Sequence, residues 1–149
     1  MCIRDSNSPE FLNALHYAAT RAAKTGGGVE VLAIITPQDQ THWLGVAEKM
    51  REEARETIEE NFQVYSNWMK DELKLEAELV IREGEKATEV LNQISEDKEV
   101  GVLVLGANNS SEGPGPLISQ LVSRDGGNLP IPVTIVPGSM TKERIEAVS

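Results

Sequence analysis

Cysteine is almost absent from this chain. Cys2 is the single one among 149 residues. No disulfide can close within the chain, and a reducing compartment fits. Long apolar runs are absent too. Nothing approaches the ~20 residues of a membrane span. The opening Met1-Cys2-Ile3-Arg4-Asp5-Ser6 holds no apolar signal core. These features lead us to expect a cytoplasmic protein. Basic charge is scarce: 14 Lys and Arg stand against 24 Asp and Glu, a net charge of −10. A nucleic-acid backbone or an anionic membrane surface would be repelled, not neutralised. Most of the acid lies in residues 48–60 and 71–99, on what read as solvated helix faces.

Catalytic patterns are equally scarce. Ser110, Ser111, Ser119 and Ser123 lie in no Gly-x-Ser-x-Gly elbow, and no histidine follows them. His16 and His42 have no ligand-like spacing to Cys or acidic residues. We therefore expect no catalytic residue and no metal site.

What is present is a regular alternation of short apolar runs and helical patterns. With 40% hydrophobic residues, the chain is one domain able to bury a core. Residues 1–7 are too short and too polar for a convincing strand. Ser8-Pro9-Glu10 opens a helix, with Ser8 as N-cap and Pro9 at the first helical position. Phe11, Leu12, Leu15, Ala18, Ala19, Ala22 and Ala23 keep helical spacing, and Gly26-Gly27-Gly28 stops the helix. Residues 29–35 predict a buried strand. Trp43, Val46, Met50, Ala54, Ile58, Phe62, Tyr65 and Met69 then form one stripe of a helix of about seven turns. Asn61 and Ser66-Asn67 are its weak points, and Trp68 lies off the stripe. Residues 76–82 predict a strand near a sheet edge. Ala87, Val90, Leu91 and Ile94 mark a short helix.

Residues 100–105, Val-Gly-Val-Leu-Val-Leu, read as a strand buried on both faces. A polar Gly/Pro-rich loop follows, and a helix opens at Pro116. Strand, loop and helix start together form a geometry that suits a phosphate. The loop lacks the glycine spacing of a strong phosphate motif. Residues 131–136 predict a last strand, whose Pro132 belongs at an edge or a strand start. The tail, 138–149, adds a turn or two of helix. The whole predicts an α/β domain with a mainly parallel sheet and right-handed crossovers.

The residues resemble the universal stress protein family. Asp5-Ser6-Asn7-Ser8-Pro9-Glu10 is similar to that family's Asp-Gly-Ser-Pro-Glu turn. Val102-Leu103-Val104-Leu105-Gly106 is similar to its fourth strand and first loop glycine. Pro130-Ile131-Pro132-Val133-Thr134-Ile135-Val136-Pro137 is similar to its closing strand. The resemblance covers residues 5–137. It implies a flavodoxin-like or adenine-nucleotide-hydrolase-like three-layer sandwich with strand order 3-2-1-4-5. It also implies a homodimer through the last strand, Ile131 to Val136, and a stress-associated role through partner binding.

Two departures stand out. The family's first strand is an apolar run ending at the Asp, whereas only Cys2-Ile3-Arg4 precede Asp5 here. Strand 1 is expected to be largely missing, and residues 1–7 to be a truncated or misassembled start. The family's nucleotide-binding members carry Gly-x2-Gly-x9-Gly-Ser/Thr. Gly106 matches the first position; Asn109, Ser119 and Gln120 stand at the other three. Gly113 and Gly115 offer another close backbone approach, and Ser110 or Ser111 a phosphate contact. The resemblance implies a ribose or adenine-side contact for Asp5, which as plain sequence is a helix N-terminal acid. It implies an adenine-pocket wall at Ile34 and Ile35, which as plain sequence are core. Two readings stay open: a non-enzymatic partner-binding protein, and an ATP- or AMP-binding one with weak ATP hydrolysis.

Overall fold

The computed structural model describes residues 2–4, 9–35, 44–107, 116–125 and 129–149. They form a five-stranded parallel sheet in the order β3-β2-β1-β4-β5. The strands are β1 (Cys2–Arg4), β2 (Val29–Ile35), β3 (Ala77–Glu83), β4 (Leu103–Ala107) and β5 (Val133–Pro137). The helices are α1 (Pro9–Thr25), α2 (Leu44–Leu73), α3 (Lys86–Glu96), α4 (Pro116–Asp125) and α5 (Lys142–Val148).

Strand alternation sets the three layers. Val29, Val31 and Val104 point to one face and join Phe11, Leu15, Ala19 and Met69 of α1 and α2. Leu32, Leu103 and Leu105 point to the other and join Val90 and Ile94 of α3 with Leu117 and Leu121 of α4. Small residues on α1, Ala14, Ala18, Ala19 and Ala22, bring its backbone close to the sheet. Gly26, at φ +75°, ends that helix in the left-handed conformation that glycine adopts at low cost.

The tail docks on α1. Thr141 Oγ1 accepts from Arg144 N–H at 3.3 Å and caps α5. The Asn13 amide donates to the carbonyls of Gly138 (3.0 Å) and Met140 (3.1 Å), which fixes the turn between β5 and α5. Lys24 Nζ donates to the Ser149 carbonyl at 2.8 Å.

Four expectations need correction. First, a strand does form at the start: Cys2, Ile3 and Arg4 pair in register with Val31, Leu32 and Ala33. Three residues reach the central position, because β2 on one side and β4 on the other both offer free edges there. Second, β4 starts at Leu103, not at Val100, and runs on through Gly106 to Ala107. Its partner β5 begins only at Val133, opposite Leu103, and Val102 is 42% exposed. Third, Met50 lies on the predicted stripe of α2 yet is 44% exposed. The 30-residue helix measures about 45 Å at ~1.5 Å per residue, against about 23 Å for a seven-residue strand. Its early turns overhang the sheet. Asn61 and Ser66-Asn67 do not interrupt it. Fourth, Leu12, expected on the buried face of α1, is exposed.

Candidate functional site

The chain leaves β1 in one direction, through β2 to β3, and β4 in the other, to β5. The switch point lies between β1 and β4. In open parallel sheets, ligands bind outside the C-terminal ends of the strands at that point. Gly106 stands there, next to last in β4. A Cβ on Gly106 would lie 2.1 Å from the Glu10 carbonyl oxygen and 3.1 Å from the Phe11 nitrogen. No side chain fits. The glycine exists so that the first turn of α1 can rest on the end of β4. Gly138 repeats the device one strand over, where a Cβ would lie 3.0 Å from the Ala107 carbonyl oxygen. The first turn of a 17-residue helix thus abuts the switch point with the positive end of its dipole.

Ile34, one residue before the end of β2, is half-buried beside the cluster shared by α3 and α4. Ile35 is buried on the opposite face with Ala33 and Ile58. Of the two, Ile34 alone keeps accessible surface for a ligand. Asp5, Asn109, Ser110, Ser111, Gly113 and Gly115 lie outside the described residues, as do His42 and Trp43. Of the predicted set, the structure places Ile34 and Gly106, both at C-terminal strand ends.

Ile34 faces the layer of α3 and α4, whereas Gly106 is turned to the first turn of α1, so the two lie on opposite faces of the sheet. The first turn of α1 carries Glu10, a like charge to any phosphate placed there. Farther along the same rim, Glu83 at the end of β3 is flanked by Arg51 (3.7 Å) and Arg55 (3.9 Å) of α2. Those cations are already engaged. At the start of α3, burial holds the Lys86 ammonium below its ordinary pKa.

A polar network lies on the α3 face, and sequence reasoning missed it. Arg82 of β3 donates to Glu89 (2.7 Å), Glu96 (2.7 Å) and Gln93 (2.9 Å) of α3. Gln93 in turn donates to Glu30 of β2 at 3.1 Å. The spacing of Glu89, Gln93 and Glu96 on one helix face was the available signal. Every member has a partner, so the network reads as a clamp of α3 on the sheet. Among the described residues, no group of three His, Cys, Asp or Glu could hold a metal.

The universal stress protein family model matches residues 3–137. The chain belongs to the universal stress protein family. Solved structures show the same fold. The universal stress protein UspA from Lactobacillus plantarum superposes with a TM-score of 0.73 at 12% identity, over 91% of this chain and 93% of that one. The hypothetical protein MJ0577, whose structure was used to assign a biochemical function, gives 0.63 at 20% identity, over 94% and 97%. A universal stress protein in complex with cAMP gives 0.53 at 15% identity, over 93% and 97%. No curated protein sequence matches. The expected strand order, 3-2-1-4-5, is the one observed. Among the described residues no helix is long and apolar enough to cross a membrane.

Proposed function

We propose that this chain is a non-enzymatic, cytoplasmic stress-response protein. It acts as a homodimer through partner binding, and the crevice at its switch point takes an adenine nucleotide as a signal. One observation carries the site: Gly106 stands at the switch point near the C-terminal end of β4 with the start of α1 packed against it, while Ile34 lies half-buried near the C-terminal end of β2 on the other face of the sheet. The cAMP complex of a universal stress protein supports the same chemistry in a related fold. Asp5 and the Gly113 and Gly115 backbone are the remaining ATP or AMP contacts in this reading, with Ser110, Ser111 and Asn109 toward the phosphates.

The dimer reading rests on β5. It is the edge strand, paired on one side by β4. Its Ile135 is 42% exposed, an apolar side chain on an open edge. Ile135→Lys places a charge there without touching the core. Sedimentation velocity should show the wild type as a dimer and this variant as a monomer. A monomeric wild type at tens of micromolar would overturn the assembly half of the proposal.

A further inference from the structure

A cavity of about 300 Å³ lies where α1, α2 and α5 meet. Each helix turns two residues, one turn apart, towards it. They are His16 and Thr20 of α1, Trp68 and Glu72 of α2, and Lys142 and Glu146 of α5. Leu73 adjoins them. The cavity shares no residue with the switch-point crevice or with β5, so it stands or falls independently of both.

Its buried end holds an unanswered polar group. Thr20 is 8% exposed, and its hydroxyl has no hydrogen-bond partner among the described residues. Thr25 and Thr57, also in helices, donate to the carbonyls of Arg21 (3.0 Å) and Glu53 (2.9 Å), four residues earlier. Thr20 makes no such bond. A buried hydroxyl without a partner is destabilising, so this one calls for a polar group inside the cavity. Beside it the His16 ring meets Trp68 edge-on at 5.4 Å. Burial holds the imidazole below its ordinary pKa, against the pull of Glu146. At neutral pH it therefore adds no positive charge.

The open end is different. Glu72, Lys142 and Glu146 are exposed there. Two carboxylates stand against one ammonium, so the mouth favours a cation. Glu146 Oε1 lies 3.5 Å from His16 Nε2, which places one carboxylate next to the buried end. Trp68 and Leu73, both partly buried, give the wall between the two ends its apolar surface. The volume is at the lower limit of small-molecule sites, about 300–1,000 Å³. It suits a single ring with a short chain.

We propose that this cavity binds a small amine that carries a hydroxyl at its far end. The hydroxyl pairs with Thr20, the carbon body lies against Trp68 and Leu73, and the ammonium meets Glu72 and Glu146 at the mouth. The probe is tyramine, titrated into the full chain at pH 7 and followed by the indole N–H resonance of Trp68. That signal should shift saturably. 2-Phenylethylamine lacks the hydroxyl and should bind about five- to tenfold more weakly. 3-(4-Hydroxyphenyl)propanoate carries a carboxylate in place of the ammonium and should leave the signal where it is. Thr20→Val should cancel the advantage of tyramine over 2-phenylethylamine. It should not lower the unfolding midpoint, because the hydroxyl it removes has no partner to lose. Glu72→Gln, on an exposed side chain, should weaken both amines about two- to fivefold. The absence of a saturable shift with tyramine, equal binding of the two amines, or a propanoate that binds as tightly as tyramine would each overturn the proposal. So would a Thr20→Val protein that keeps the preference for tyramine or melts lower than the wild type.

Discussion

Gly106→Ala is the substitution with the most determined outcome. The added Cβ would lie 2.1 Å from the Glu10 carbonyl oxygen and 2.5 Å from its carbon. Both atoms are backbone, so no rotamer change relieves the overlap. Either the first turn of α1 lifts off β4 or the end of β4 shifts against β5, with which Gly106 pairs at Val136. Overpacking of this kind costs ~1–3 kcal/mol and more where backbone must move. The loss of glycine's unfolded-state freedom returns ~0.4–1 kcal/mol. A net loss of about 3 kcal/mol lowers the midpoint by ~6–12 °C for a chain of this length. Gly101→Ala is the internal control. It is the same chemical change on the same segment, and a Cβ there meets nothing within 4 Å. With no positive φ at Gly101, that variant should hold or slightly raise the midpoint. Differential scanning calorimetry on the pair decides the matter. A Gly106→Ala protein that melts with the wild type would refute the packing of α1 on β4, and with it the placement of the switch-point crevice.

Arg82→Met should lower the urea midpoint by the equivalent of ~1–3 kcal/mol, because Glu89 and Gln93 lose the guanidinium that satisfies them; an unchanged midpoint would mean that α3 is held by its apolar face alone. His16 stacks edge-on against Trp68 at 5.4 Å and lies 3.5 Å from Glu146. Burial lowers its pKa, outweighing the pull of Glu146. The unfolded chain then binds the proton more readily, so stability falls as pH drops from about 6.5 through the lowered native value. His16→Gln should flatten stability against pH in that window, and an unaltered profile would contradict the desolvation argument.

The fold was legible because each element carried its own period. The alanines of α1, the six apolar residues among the seven of β2 and the Gly84 turn before α3 all read locally. Gly84, at φ +144°, sits in the region that the turn requires. What failed was context. Residues 100–102 are apolar enough for a strand, yet the ladder with β5 starts only at Leu103, opposite Val133. Met50 is apolar at the correct spacing, yet the helix has outrun the sheet it packs on. Cys2-Ile3-Arg4 looked too short for a strand, and the two free edges on either side of it override that. Ile34 and Gly106 were expected near strand ends, and they lie there. The reason for Gly106, a helix backbone pressed against it, is a long-range contact that no local pattern reveals. The Arg82 network was missed because its partners come from two strands and a helix.

The most direct test of the functional account is thermal unfolding of the full chain with and without millimolar Mg-ATP or AMP. A ligand that binds only the native state adds ~2.7 kcal/mol of stability at a hundred times its dissociation constant. We predict a higher midpoint with at least one nucleotide, and no such rise in Gly106→Ala. A cooperative transition that ignores both nucleotides would contradict the nucleotide reading.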